Sequence, residues 1–274
     1  MKKIYMLLSL AVVASGCGGR LDLPEEPDVP KAVRYELSAQ VSSLSDVYVW
    51  KEGSAVGVYG SSKGDNAKYV PYNGFHGKTG LVELYGPEVD GTIYGYFPYN
   101  SEGYAAVAEG RCPYVPVQQY RTSAAGHYSA NAVLVAAEID GVLDFAHRAG
   151  LVHFSVNVDV EGQVKGVMLS SALDPLCGNF TIDPEDESPV TDAGNTVTVR
   201  GMGKPQGKFD VWFLLPAGEY EALQLVVMTD QTQLTKPVNG KVPVSAGEVT
   251  KMTVVDEAYE YTGSDFEIIG GIFD

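Results

Sequence analysis

The strictest pattern in the sequence is the run Leu151–Val160, where Val152, Phe154, Val156, Val158 and Val160 alternate with His153, Ser155, Asn157 and Asp159. A period of two is the period of a strand, so the run predicts a half-buried strand; a helix would scatter the same apolar residues around its whole circumference. Shorter runs of the same kind predict strands at Val47–Trp50, Val56–Tyr59, Ile93–Phe97 and Val133–Ala136, then at Val164–Leu169, Thr196–Arg200, Phe209–Leu215, Leu223–Met228 and Lys251–Val255. The 31 Gly and 15 Pro among 274 residues supply the turns that such short strands need. The expected class is all-β. "PAGEY" (Pro216–Tyr220) and "SAGEV" (Ser245–Val249) each set Ala-Gly-Glu before an alternating strand, the sequence of a turn that needs a left-handed residue.

The first residues read as an address. Lys2 and Lys3 precede an apolar run, Ile4–Ala14, too short to span a membrane, and small residues lead to Cys17. Residues 1–16 resemble a bacterial lipoprotein signal, with Cys17 as the lipidated (palmitate-bearing) mature N-terminus; a plain secretory signal is the alternative. Residues 17–32 contain Pro24, Pro27 and Pro30 among acids and form an extended tether. Folding starts at Val33, where Val33, Tyr35, Leu37, Ala39 and Val41 alternate with polar residues as a first strand.

Charge and motifs exclude several functions. The formal net charge of −16 disfavours nucleic acid and anionic lipid as partners, since both need clustered Lys and Arg. "GFHGKTG" (Gly74–Gly80) lacks the leading Gly of a phosphate loop, because that position is Tyr72, and "GSAVG" (Gly53–Gly57) sets Ser54 in the wrong place for a nucleophile elbow. Asp183, Glu185, Asp186 and Glu187 lack the spacing of a calcium loop and read as a solvated loop. His147 and His153 have no third His or Cys nearby, so scaffold roles are expected, His147 packed inside and His153 on the polar face. Cys112 and Cys177 are expected as separate thiols, since they fall in different parts of the fold. No catalytic group, metal site or cofactor is assigned, and the chain is not expected to be an enzyme.

The order of several segments resembles the fimbrillin family of lipoprotein pilins from gut and oral Gram-negative anaerobes. The segments are the Cys17 lipobox, "VYVWKEGSAVGVYG" (Val47–Gly60), "YGYFPYN" (Tyr94–Asn100), "NAVLVA" (Asn131–Ala136), "LDFAHRAGLVHFSV" (Leu143–Val156), "LLPAGEYEALQLVV" (Leu214–Val227) and "VPVSAGEVTKMTV" (Val242–Val254). The resemblance implies two transthyretin-like β-sandwich domains in tandem, 33–158 and 159–274, and a non-enzymatic fimbrial subunit at the cell outer membrane. Its implied partners are other copies of itself or related fimbrial subunits, and host or bacterial surface ligands.

The same resemblance implies assembly by strand addition or exchange. A protease would remove the first strand, Val33–Val41, and the groove would accept a strand from the next subunit. Arg34 is the candidate processing site; it lies near the start of the strand, and no Arg occurs between 34 and 111, which leaves an uncleaved anchor open. At the other end, Phe266, Ile268, Gly270 and Ile272 share one face of a tail that either closes its own sheet or adds to a neighbour. A second reading is a lipid-anchored surface glycan-binding protein using Tyr94, Tyr96, Tyr99 and Tyr104 as stacking platforms, against the alternative that they are core.

Overall fold

The computed structural model describes residues 35–41, 55–60, 66–71, 81–182, 191–204, 208–255, 259–260 and 267–268, all within one unit, Val33–Asp274. Cys17, the tether, Val33, Arg34, Val47–Trp50, Ser54, Gly74–Gly80, Asp183–Glu187, Phe266, Gly270 and Ile272 lie outside the described residues.

In chain order the strands of the first part are β1 (Tyr35–Val41), β2 (Val56–Gly60), β3 (Ala67–Pro71), β4 (Val82–Gly86) and β5 (Ile93–Phe97). There follow α1 (Ala105–Ala108), β6 (Arg111–Tyr114), β7 (Val117–Gln119), α2 (Ala124–Asn131), β8 (Leu134–Ile139) and β9 (Val142–Phe145). The remainder is β10 (Ala149–Asn157), β11 (Val164–Ser171), β12 (Cys177–Thr181), β13 (Thr191–Gly194), β14 (Thr196–Lys204), β15 (Lys208–Pro216) and β16 (Gly218–Tyr220). It closes with β17 (Leu223–Thr229), β18 (Gln233–Pro237), β19 (Val242–Val244), β20 (Glu248–Val255), β21 (Tyr259–Glu260) and β22 (Glu267–Ile268). Apart from Val47–Trp50, each predicted strand is present within a few residues. Two short helices occupy stretches expected to be loops, and α2 starts where the Ser123 hydroxyl accepts a bond from the Gly126 N–H at 3.2 Å, an ordinary N-cap.

β1, β4, β3, β2, β5, β8 and β9 close into a barrel in that order. Its interior is filled by Val56, Val58, Tyr69, Leu84, Leu143 and Phe145, all fully buried, while Tyr96 is buried on the opposite face of β5. Gly57 is required here: a Cβ on it would stand 1.9 Å from the Tyr96 ring. The later strands form other sheets, one in the order β15-β10-β20-β21 with β22 also on β20, another in the order β18-β17-β11-β14-β7. β10 is central to the first, antiparallel to β15 and parallel to β20, and Leu151, Val152, Phe154 and Val156 are fully buried. From Phe154 on, one face is buried and the other is not, which is why this strand alternates so cleanly.

The two Ala-Gly-Glu corners differ. Gly247 of "SAGEV" has φ +76, the expected left-handed turn, whereas Gly218 of "PAGEY" is an ordinary residue of β16 and the positive φ falls on Ala222 at +52. The shared tripeptide therefore corrects to two different local structures, because the turn after β16 comes after Tyr220 and not before it.

Residues 111–131 precede β8 and β9 in sequence, yet β6 pairs with β12 and β7 lies parallel to β14. Side-chain amides pin this crossing segment. Gln118 is fully buried; its Nε2 donates to the Leu214 carbonyl at 2.7 Å and its Oε1 accepts from the Leu214 N–H at 2.9 Å. The amide thereby stands in for a neighbouring strand on the outer edge of β15. Asn131 treats the backbone of Gln119 the same way, with its Oδ1 accepting at 2.7 Å and its Nδ2 donating at 3.1 Å. Gln118→Ala is expected to strand both Leu214 groups in the interior and to lower unfolding stability by about 2–4 kcal/mol, measured as a urea midpoint shift. Gln119→Ala, whose side chain is exposed, should stay within about 0.5 kcal/mol.

Candidate functional site

The strand β1 occupies a slot between two partners. It runs antiparallel to β4, with Tyr35 opposite Gly86 and Ala39 opposite Val82, and parallel to β9, with Ser38 opposite Val142 and Val41 opposite Phe145. The alternation in its sequence agrees with that register. Positions 37, 39 and 41 stand opposite Leu84, Leu143 and Phe145, each fully buried on its own strand. Of the residues singled out for strand removal, Tyr35, Leu37, Ala39 and Val41 are thus in one continuous strand bonded on both edges. β4 was not anticipated from sequence, although Val82 and Leu84 alternate with Glu83 and Tyr85 as a weak signal. That β9 is the other wall of the slot could not be read locally at all.

At the opposite end of the chain, β22 places Ile268 opposite Glu248 and Glu267 opposite Val249, while β21 pairs with β20 at Thr253 and Val254. The tail therefore pairs with its own β20 through two short stretches.

His147 precedes β10 and His153 lies within it. The His147 ring packs against Tyr128 at 4.7 Å, and burial pushes it down to about 4, so it is neutral. His153 faces the other way, 3.0 Å from Asp210 and stacked on Trp212 at 4.9 Å and 10°. Its expected solvent-facing place is thus a half-buried ring in a cross-strand stack. His127, not singled out from the sequence, is fully buried on α2, and burial, with a smaller effect of Arg121, pushes it down to about 3. Its Nε2 lies 2.9 Å from Gln118 Oε1, which only accepts, so the proton sits on Nε2. Among the described residues there is no group of three or more His, Cys, Asp or Glu placed to hold a metal.

The tyrosines form a packed cluster. Tyr96 is fully buried, its hydroxyl lies 2.8 Å from both Asn66 Oδ1 and the Asn100 carbonyl and donates its one proton to this pair, and it is stacked with Tyr59 and Tyr99 and met edge-on by Tyr104. The Tyr59 hydroxyl accepts from the Tyr104 N–H at 2.8 Å. Tyr94, Tyr99 and Tyr104 are half-buried against the core, so the four present no open coplanar platform for a sugar.

Cys112 and Cys177 are free and buried, and burial pushes the Cys112 thiol up to about 12 and Cys177 upward as well. They lie on adjacent strands, not in distant parts of the fold as expected. Register keeps them apart: Cys112 stands opposite Phe180, and Cys177 opposite Gly194 on the other neighbour.

No family model matches the sequence, and no curated protein matches it. Among solved structures the chain is similar to a candidate cell-adhesion protein of Bacteroides ovatus, at 14% identity and TM-score 0.48, over 87% of this chain and 98% of that one. It is also similar to the tip fimbrial protein Mfa3 of Porphyromonas gingivalis with C-terminal truncation (10%, TM-score 0.36, 86% and 100%). A fimbrial protein of Bacteroides ovatus is similar at 15% and TM-score 0.35, over 83% of this chain and 50% of that one.

Buried neutral histidines make the fold acid-sensitive. His127 and His147 titrate below their ordinary 6.5, so the unfolded chain binds the extra protons and stability is complete only above pH 6.5. Between pH 6.5 and 5 the pair is expected to remove on the order of 3 kcal/mol, read from urea midpoints across that range.

Proposed function

We propose that the chain is a non-enzymatic fimbrial subunit of the cell outer membrane, anchored through lipid on Cys17 and assembled by strand exchange. The observation that carries this reading is the position of β1, the first strand among the described residues, between β4 and β9. Its removal opens both neighbours at once and exposes a groove floored by Leu84, Leu143 and Phe145. A groove with two unpaired edges accepts an extended strand with main-chain bonds on both sides and alternate side chains in register. The donor in this reading is the 265–274 tail of the next copy, with Phe266, Ile268, Gly270 and Ile272 as its apolar row. Among the described residues, the tail pairs with its own chain through β22, two residues long, on β20. Two sandwich domains are part of the same reading, with the later sheets taking strands from before residue 158 as well: all seven barrel strands precede residue 146, whereas β6, β7 and β10 pair with later strands.

The test is a gel of surface protein from cells carrying this chain, with mild and full heating and N-terminal sequencing of each band. A heat-sensitive ladder whose bands begin beyond Val41 is expected. A single band starting at lipidated Cys17 would overturn the exchange step. Deleting residues 265–274 should abolish the ladder and leave a folded chain, and normal fibres from the truncated protein would sink the donor assignment. Cys17→Ser is expected to release the chain from the membrane fraction; retention there would count against lipidation.

A further inference from the structure

The sheet β18-β17-β11-β14-β7 buries one face and turns the other outward. On the inner face Val167, Leu169, Val197, Val199, Leu225 and Val227 are at most 1% exposed. On the outer face the register aligns Thr235, Val226, Met168, Thr198 and Val117 as one row across all five strands. Val226 is 3% exposed although it lies outside the main core cluster, and Val117, at the sheet edge, is 42% exposed. The rows on either side of it hold uncharged residues and Arg200, and no Asp or Glu stands at any of these positions in a chain with 35 acids. Other outward surfaces differ. Asp210 and Lys251 sit on the β15-β10-β20 sheet beside His153, and Glu83 and Asp144 are exposed on the barrel.

We propose that this face is where a second copy of the same chain lies, sheet against sheet. Two chains of net charge −16 repel wherever their carboxylates meet, and this face brings none together. Its β-branched and Met row is the kind of surface that packs against another sheet at ~10 Å. Five strands at ~4.8 Å spacing and about five residues along each give on the order of 400 Å² a side. That is about half of what a stable complex of free partners needs, which selects a neighbour already held nearby. Copies confined to one membrane or fibre meet at an effective concentration high enough for a contact of this size. The confinement rests on the surface-subunit reading above; the composition of the face does not.

The test is cross-linking on intact cells with a bismaleimide spanning ~10 Å, matched to sheet packing distance. Met168→Cys and Thr198→Cys are each compared with the parent and with Thr253→Cys, an exposed position on the other sheet. Native Cys112 and Cys177 are buried, so the parent supplies the background. Covalent dimer several-fold above both controls is expected at positions 168 and 198, falling when Gln224→Glu and Gln233→Glu add charge to the same face. Equal dimer at all three positions, or none at 168 and 198, overturns the proposal. Dimer without a heat-sensitive ladder supports the face and removes strand exchange, whereas a ladder without dimer removes the face alone.

Discussion

An odd number of strands cannot close into a barrel with every neighbour antiparallel, so the seven-stranded barrel must contain a parallel junction. That junction is β1 against β9, and every other contact around the ring is antiparallel. A parallel pair cannot be joined by a hairpin, and here β2 to β8 all lie between its two members. The last gap in the ring is therefore closed by the strand nearest the N-terminus. The interior around Leu84, Leu143 and Phe145 stays dry only while that strand, or another like it, is in place. A single extended segment thus controls both the integrity of the barrel and the availability of two strand edges.

The remainder of the chain meets a different problem, the end of β15, whose outer backbone groups need partners. The solution is polar and buried. Gln118 reproduces the donor and acceptor of a missing strand, His127 adds a second bond to the same oxygen, and Asn131 fixes the backbone of Gln119. Such a network is costly when incomplete, so the short helix α2 and its Ser123 cap are tied to the position of β15. The same arrangement leaves His127 neutral in the interior, and a local backbone need thereby becomes a pH dependence of the whole fold.

Charge is distributed in the same economical way. The chain carries 35 acids against 19 Lys and Arg, and among the described residues Glu83 and Asp144 are exposed on the barrel and Asp210 lies on the β15-β10-β20 sheet. Lys241 bonds both Glu219 and Glu221 beside the β16–β19 pair, with Glu221 at 2.9 Å, an exposed clasp that relieves local repulsion. The outer face of the β11 and β17 strands is spared altogether. A sheet face that alternates Thr, Val, Met and Gln in an acidic protein retains low charge against the composition of the chain.

Much of this was written in the sequence. The period of two at Val33–Val41, Leu151–Val160 and Leu223–Met228 determined strands and their faces, because side-chain alternation is a property of the extended backbone itself. Tertiary structure decided what sits beside what. Nothing near Val41 announces Phe145 as its partner, nothing at Gln118 announces Leu214, and the two Ala-Gly-Glu corners diverge despite identical letters. Cys112 and Cys177 lie on neighbouring strands, out of register with one another, where the sequence suggested separate regions. The physical reason is that a strand's periodicity is local, whereas the pairing of its backbone edges is satisfied by segments a hundred residues away and is chosen by the packing of the whole core.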